Sequence, residues 1–277
     1  MEPFAEKVAI ITGGASGIGR AIGEQLAQRG AHVVLADRDG ERAQSVAAAI
    51  TAGGGRAAAV TVEVTEAVAV QTVIETTALT HGRLDYVFNN AGVAIAGEAY
   101  DMTLADWNRL IDVNIRGVVH GVAAAYPLML KQGFGHIVNT ASAAGLGPVP
   151  GFTAYCMTKH AVVGLSTSLR GEARRRGVHV SVVCPGFIET PLLQTMPMLN
   201  VDREASLKRL PLLSAERCAR AILRGVARNR AIIVITPFAR ITWLLYRLAP
   251  ELVIRGLALA ANKSPLLQPS ARPKTNR

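Results

Sequence analysis

Thr12-Gly13-Gly14-Ala15-Ser16-Gly17-Ile18-Gly19 follows the largely apolar run Lys7–Thr12 and leads into Arg20-Ala21-Ile22, a helical pattern that continues to about Arg29-Gly30. This order reads as a buried strand, a tight glycine turn and a helix. Gly13, Gly17 and Gly19 lack side chains where the backbone must come close to a ligand. Ser16, Gly17 and Ile18 open the helix, whose unpaired N–H groups suit a pyrophosphate. A glycine-rich turn alone is only a loop, but its place between strand and helix points to a dinucleotide site.

Outward from this unit, the strand His32–Ala36 ends in Asp37, about 20 residues past the turn, where such folds read the ribose. Its carboxylate accepts from a 2′-hydroxyl and repels a 2′-phosphate, and Ser16 before Gly17 is not basic, so NAD is expected over NADP. Arg38 complicates the reading. It neutralises a 2′-phosphate if Asp37 turns away, or it stacks on adenine or faces solvent. Alternation continues with a helix near 40–52, a strand Ala57–Val62, a helix near 66–80 and a strand Leu84–Phe88. Repeated units of this kind predict an α/β fold with a doubly wound parallel sheet.

Further along, the strand Gly135–Thr140 delivers Ser142, and a Gly/Pro-rich turn leads into a helix bearing Tyr155 and Lys159. Four residues make about one helical turn, so these two side chains share a face. A tyrosine titrates near ~10 and needs help to act as an acid or base at neutral pH. At about 4 Å and an effective dielectric of ~20, a lysine cation contributes about 4 kcal/mol, which predicts a Tyr155 phenol titrating near neutrality. Ser142 then holds a substrate oxygen beside it.

Taken together, the glycine turn, Asn89-Asn90-Ala91-Gly92, Ser142 and Tyr155-x3-Lys159 resemble the short-chain dehydrogenase/reductases over about residues 6–235. The resemblance implies a Rossmann fold and a catalytic set of Asn114, Ser142, Tyr155 and Lys159, with Lys159 also holding the ribose. It places Glu63-Val64 beside the adenine, where the family usually has Asp-Val. Asn90, Ala91 and Gly92 line the cofactor cleft, and Pro185-Gly186-Phe187-Ile188-Glu189-Thr190 lies on the nicotinamide side, with Thr190 as carboxamide ligand. Asn114 is expected midway along a helix running from about Leu104 to Leu130. There it holds a water that links Lys159 to solvent, or it is simply a satisfied structural amide. The expected activity is hydride transfer between NAD and a secondary alcohol or ketone. The competing readings are an NADPH-dependent 3-oxoacyl-carrier-protein reductase and a non-catalytic NAD-binding regulator.

The chain has 277 residues, half of them apolar and 18% charged, enough for one domain with a substantial core. Cys156, Cys184 and Cys218 show neither disulfide nor zinc-ligand spacing, and Cys156 is read as packing. With no basic, apolar leader at Met1, a cytoplasmic protein is expected, with peripheral membrane contact as a further option. The net charge of +10 is uneven: residues 201–277 hold 15 Lys/Arg against 4 Asp/Glu. Such a local basic block points to a surface contact rather than to nucleic acid.

Leu192, Leu193, Met196, Met198 and Leu199 predict an apolar substrate site, with Val149 and Phe152 opposite. The helices around Leu104–Leu130 and Phe152–Arg176 resemble the family's subunit-pairing helices, implying a homodimer or homotetramer. Beyond the Rossmann domain, residues 1–235, a C-terminal extension over 236–270 reads as two amphipathic helices broken near Pro250, and 271–277 as a disordered tail. The extension either caps the cleft or a neighbouring subunit, or lies in a membrane interface with Arg240 and Arg247 facing anionic headgroups.

Overall fold

The computed structural model describes residues 3–261 except 202 and 209, so the expected disordered tail at 271–277 lies outside the described residues. The first half of the chain alternates strictly: β1 (Val8–Thr12), α1 (Gly17–Ala27), β2 (His32–Asp37), α2 (Gly40–Ala52), β3 (Arg56–Thr61), α3 (Ala67–His81) and β4 (Tyr86–Asn89). All five residues of β1 are buried. A parallel strand covered on both faces needs such a continuous apolar run, and this is why Val8-Ala9-Ile10-Ile11-Thr12 does not alternate.

After β4 come α4 (Leu104–Ile111), a π-helical turn (Asp112–Arg116), α5 (Gly117–Gln132), β5 (Gly135–Thr140), α6 (Thr153–Ala173) and β6 (Val178–Cys184). The single helix expected over Leu104–Leu130 is therefore interrupted, and the wider turn lies around Asn114. The chain continues with β7 (Ile188–Glu189), α7 (Pro191–Thr195), α8 (Arg203–Leu207) and β8 (Leu213–Ser214), where β7 and β8 pair with each other outside the main sheet, and ends the sheet with α9 (Ala215–Ala227) and β9 (Ile232–Val234).

Seven strands pair in parallel in the order β3-β2-β1-β4-β5-β6-β9. The order runs outward from β1 to β3 and then from β4 to β9, so the chain reverses direction between β1 and β4. Helices fill both faces. Ile22 and Leu26 of α1 pack with Ile222 and Leu223 of α9 on one side, and Ile74 of α3 packs with Ala125 and Met129 of α5 on the other. The doubly wound parallel sheet read from the sequence is the fold, and the switch between β1 and β4 opens a crevice at the strands' carboxyl ends.

Two further helices, α10 (Pro237–Leu248) and α11 (Pro250–Ala261), follow β9 and meet near Pro250 as expected. Thr236 caps α10 by accepting from Ala239 N at 3.3 Å. Arg240 Nε donates to Val234 O at 3.0 Å, and Ala239 and Trp243 join the apolar cluster of Val118, Leu146 and Val182. This ties α10 to the end of the sheet and lays it over the crevice.

Candidate active site

The crevice holds a cavity of about 840 Å³. Every residue assigned to cofactor binding from the sequence lines it, except Gly19. The exception has a steric reason: a Cβ on Gly19 would stand 2.1 Å from Gly13 O, so Gly19 lets the turn close on itself and does not face the ligand. Gly17 has φ +52°, and a Cβ there would lie 3.0 Å from Thr190 Cγ2, which brings the glycine turn and the segment after β6 onto one wall. The α1 N-cap, Ser16, makes no side-chain cap bond, so the first N–H groups of α1 remain free for an anion.

Asp37 sits at the end of β2 on the same cavity wall. Its carboxylate accepts from Ala15 N at 3.0 Å and from Asp39 N at 3.1 Å, which fixes it against the glycine turn. A carboxylate has about four acceptor sites, so capacity remains for a hydroxyl partner. Arg38, Arg42 and Glu63 also line the cavity here. Thr12, which sequence reasoning misses, holds the other side: its hydroxyl accepts from Asn90 N at 2.9 Å and Ala91 N at 3.0 Å. Thr12 opens the quoted glycine motif, but nothing in the motif gives its hydroxyl a task; its position as the last residue of β1 beside β4 does.

Ser142, Tyr155 and Lys159 converge on the cavity. The Ser142 hydroxyl accepts from Ala144 N at 3.2 Å and donates to Pro185 O at 3.5 Å, and it is close enough to the Tyr155 phenol to lower its pKa. Lys159 Nζ is buried, donates to Thr140 O at 3.0 Å, and lies 5.6 Å from the Tyr155 ring centroid. Thr140 O is its only hydrogen-bond acceptor among the described residues, which leaves N–H donors for a ligand's hydroxyls.

The electrostatics correct one expectation. Burial pushes the Tyr155 phenol up to about 12, against the lowering effect of its Ser142 hydrogen bond. Burial also brings Lys159 down to about 8. The phenol does not titrate near neutrality in this cleft, because burial desolvates it and the ammonium, itself desolvated, does not offset that cost. The four-residue spacing sets a shared face and nothing more.

Asn114 does not line the cavity; it is fully buried behind it. Its Oδ1 accepts from Val93 N at 2.9 Å, and its Nδ2 donates to Val93 O at 2.9 Å and Thr158 Oγ1 at 3.1 Å. A Cβ on Gly92 would lie 3.1 Å from Asn114 Oδ1 and 3.4 Å from Lys159 Nζ, so amide and ammonium face each other across this glycine. The amide is thus both a structural clamp and a neighbour of the lysine. Thr158, its partner, carries no sequence signal beyond preceding Lys159.

The other walls are apolar. Leu192, Leu193, Met196, Val149 and Phe152 line the cavity as expected, whereas Met198 and Leu199 do not. Leu199 N instead donates to Ala96 O at 2.8 Å and Met198 bridges to Ala96, because the loop pairs as an extended edge with residues 94–97. The inner stripe of α10 and α11 adds Thr242, Trp243, Tyr246, Val253 and Leu257 to the cavity, and the Tyr246 ring packs on the Gly147 backbone, 3.7 Å from where a Cβ would sit. Of the two places expected for the extension, the cleft is covered.

The donor set, the open helix terminus and the anchored carboxylate fit a dinucleotide, and the group formed by half-buried Ser142 and Tyr155 with buried Lys159 fits proton transfer to or from a substrate oxygen. The family model for short chain dehydrogenase matches residues 7–198. A cyclohexanol dehydrogenase from Acinetobacter is 39% identical over 191 residues, 69% of this chain and 76% of that protein. A 3-oxoacyl-acyl-carrier-protein reductase from Thermotoga maritima is 36% identical over 206 residues, 74% of this chain and 83% of that protein. A short chain dehydrogenase/reductase from Burkholderia phymatum, solved in complex with NAD, is 30% identical, covers 99% of this chain and 100% of its own, and superposes with a TM-score of 0.83. The chain belongs to the short chain dehydrogenase family and is an oxidoreductase of that family.

Proposed function

We propose that the protein interconverts apolar secondary alcohols and their ketones with NAD as cofactor. The observation that carries this reading is the placement of Ser142, Tyr155 and Lys159 in one wall of a cavity whose substrate end is built from Leu192, Leu193, Met196, Val149, Phe152 and the α10 aromatics. Asp37, Ser16, Gly17 and Ile18 would hold the adenosine and diphosphate, Lys159 the ribose, and Ile188 and Thr190 the nicotinamide side. The bound nicotinamide supplies the hydride donor or acceptor.

The chain's own residues manage the proton and the orientation. Ser142 hydrogen-bonds the substrate oxygen and Tyr155 passes it a proton or removes one. Lys159 favours the phenolate when the phenol has given up its proton, and the apolar walls exclude water. Tyr155→Phe should leave NADH binding within about threefold and lower turnover of cyclic secondary alcohols at least ~100-fold; near-full activity would remove Tyr155 from the chemistry. The NAD complex of the Burkholderia phymatum relative supports the cofactor assignment.

A 3-oxoacyl-carrier-protein reductase is the second reading, favoured by the Thermotoga maritima relative and the basic C-terminal region. Asp37 opposes it if that reaction requires NADPH, since a carboxylate holding the ribose would repel a 2′-phosphate. The proposed homodimer or homotetramer would form through α4, α5 and α6, where Val119 and Met157 are exposed. A monomeric mass in sedimentation would remove it.

A further inference from the structure

The two C-terminal helices carry a second apolar stripe on the side away from the cavity. Ile241, Leu244, Leu245 and Leu248 of α10, with Leu252 and Leu259 of α11, are each between 51% and 75% exposed. Ile241, Leu245 and Leu248 follow helical spacing, so this is one continuous outer face and not scattered exposure. Arg247 and Arg255 are exposed on the same two helices, as is Arg240, whose Nε also ties back to Val234 O. We propose that this outer face is a docking surface for an anionic lipid bilayer, on which the protein sits as a peripheral, in-plane guest.

Charge selects that occupant over a second copy of the chain. The two helices carry Arg240, Arg247 and Arg255 against a single acid, Glu251. A two-fold contact would set this face against itself, opposing like charges with one carboxylate per copy to offset them. Anionic headgroups supply the missing complement, and arginine stems bury along apolar surface while their heads stay at the headgroup level. Each helix has 12 residues, short of the roughly 20 that span a bilayer, so the pair lies in the interface. Among the described residues no helix is long and apolar enough to cross a membrane.

Phe238 connects this surface to the site, since it both lines the cavity and is 67% exposed. The rim of the cavity therefore adjoins the docking face, and a lipophilic substrate held in the bilayer would reach the site without crossing water. The docking itself does not depend on the substrate class, because vesicle binding is read without turnover.

The experiment is co-sedimentation of the full-length protein with phosphatidylcholine vesicles, with and without about one-third phosphatidylglycerol, at about 50 and about 500 mM salt. Binding at least ~tenfold stronger to the anionic vesicles, and lost at high salt, is expected. Ile241→Ser/Leu245→Ser/Leu248→Ser should weaken it by a further ~tenfold while leaving turnover of a water-soluble alcohol unchanged. Arg247→Gln/Arg255→Gln, which leaves the apolar stripe intact, should also weaken binding and reduce its salt dependence. Absence of wild-type binding to anionic vesicles at low salt overturns the proposal, as does full binding by the serine variant. If that variant instead lowers the sedimenting mass and vesicles bind neither form, the face joins two copies of the chain and the lipid assignment is wrong.

Discussion

Lys159 meets the face of the Tyr155 ring, 5.6 Å from its centroid, and donates to Thr140 O at 3.0 Å. Each group is held in its neutral direction by burial, the phenol at about 12 and the amine at about 8. The phenol is therefore protonated throughout the neutral range, the state that reduction of a carbonyl requires. Reduction should be nearly flat from about pH 6 to 8, whereas alcohol oxidation, which needs the phenolate, should rise by about tenfold per pH unit before Lys159 begins to lose its charge. As pH rises through about 8 the ammonium discharges, its support for the phenolate falls, and the rise should bend over. Profiles of kcat/KM in both directions test this, and an oxidation rate independent of pH below 8 would contradict it.

Asn114 uses its amide to satisfy both backbone groups of Val93 and the hydroxyl of Thr158. Asn114→Ala strips both Val93 backbone groups of their side-chain partner, at about 1–3 kcal/mol each where water cannot enter, while the Thr158 hydroxyl keeps its bond to Tyr155 O. A loss of about 3 kcal/mol, or about 6–12 °C in Tm, is expected along with reduced turnover. Calorimetry decides it: an unchanged Tm would show that the amide's role lies elsewhere.

The difference between these two sites explains what the sequence could show. Gly13, Asp37 and Ser142 are legible because each stands at or just past the end of a sheet strand, and parallel strands place such residues at one edge whatever packs behind them, while Gly17 and Thr190 are legible from the motifs that hold them. The Tyr155 and Lys159 titrations are not, because both depend on what buries them, and helical spacing contains no information about that. The π-helical turn at Asp112–Arg116 is hidden for a similar reason. Its extra residue lets the buried Asn114 amide reach Val93, a contact 21 residues away in sequence. Composition alone assigns Met198 and Leu199 to the cavity, and edge pairing with Ala96 claims them instead.

Asp37 carries the cofactor preference. Its carboxylate is anchored by Ala15 N and Asp39 N, while Arg38 and Arg42 line the same end of the cavity. Asp37→Asn removes the repulsion toward a 2′-phosphate and leaves both guanidinium groups to attract it. The ratio of kcat/KM for NAD over NADP should fall by at least about tenfold, roughly 1.4 kcal/mol. Measured with one substrate at fixed ionic strength, an unchanged ratio would show that discrimination arises elsewhere, and a wild-type preference for NADP would revive the acyl-carrier-protein reading.

Tyr246 is the last test, because it separates a helix that shapes the substrate site from one that only covers it. Its ring packs on the Gly147 backbone and lines the cavity beside Trp243, whose own ring is covered by Arg247 at 5.4 Å. Tyr246→Ala removes part of an apolar wall without touching Ser142, Tyr155 or Lys159. If about 60 Å² of that ring contacts a bulky substrate, its loss costs about 1.5 kcal/mol, or about tenfold in kcat/KM. A small alcohol that never reaches α10 should change by less than about threefold. An equal loss on small and bulky substrates, with a lowered Tm, would make Tyr246 a structural prop. No loss on either would place the substrate away from α10, and the apolar wall it forms would then serve only to keep water out.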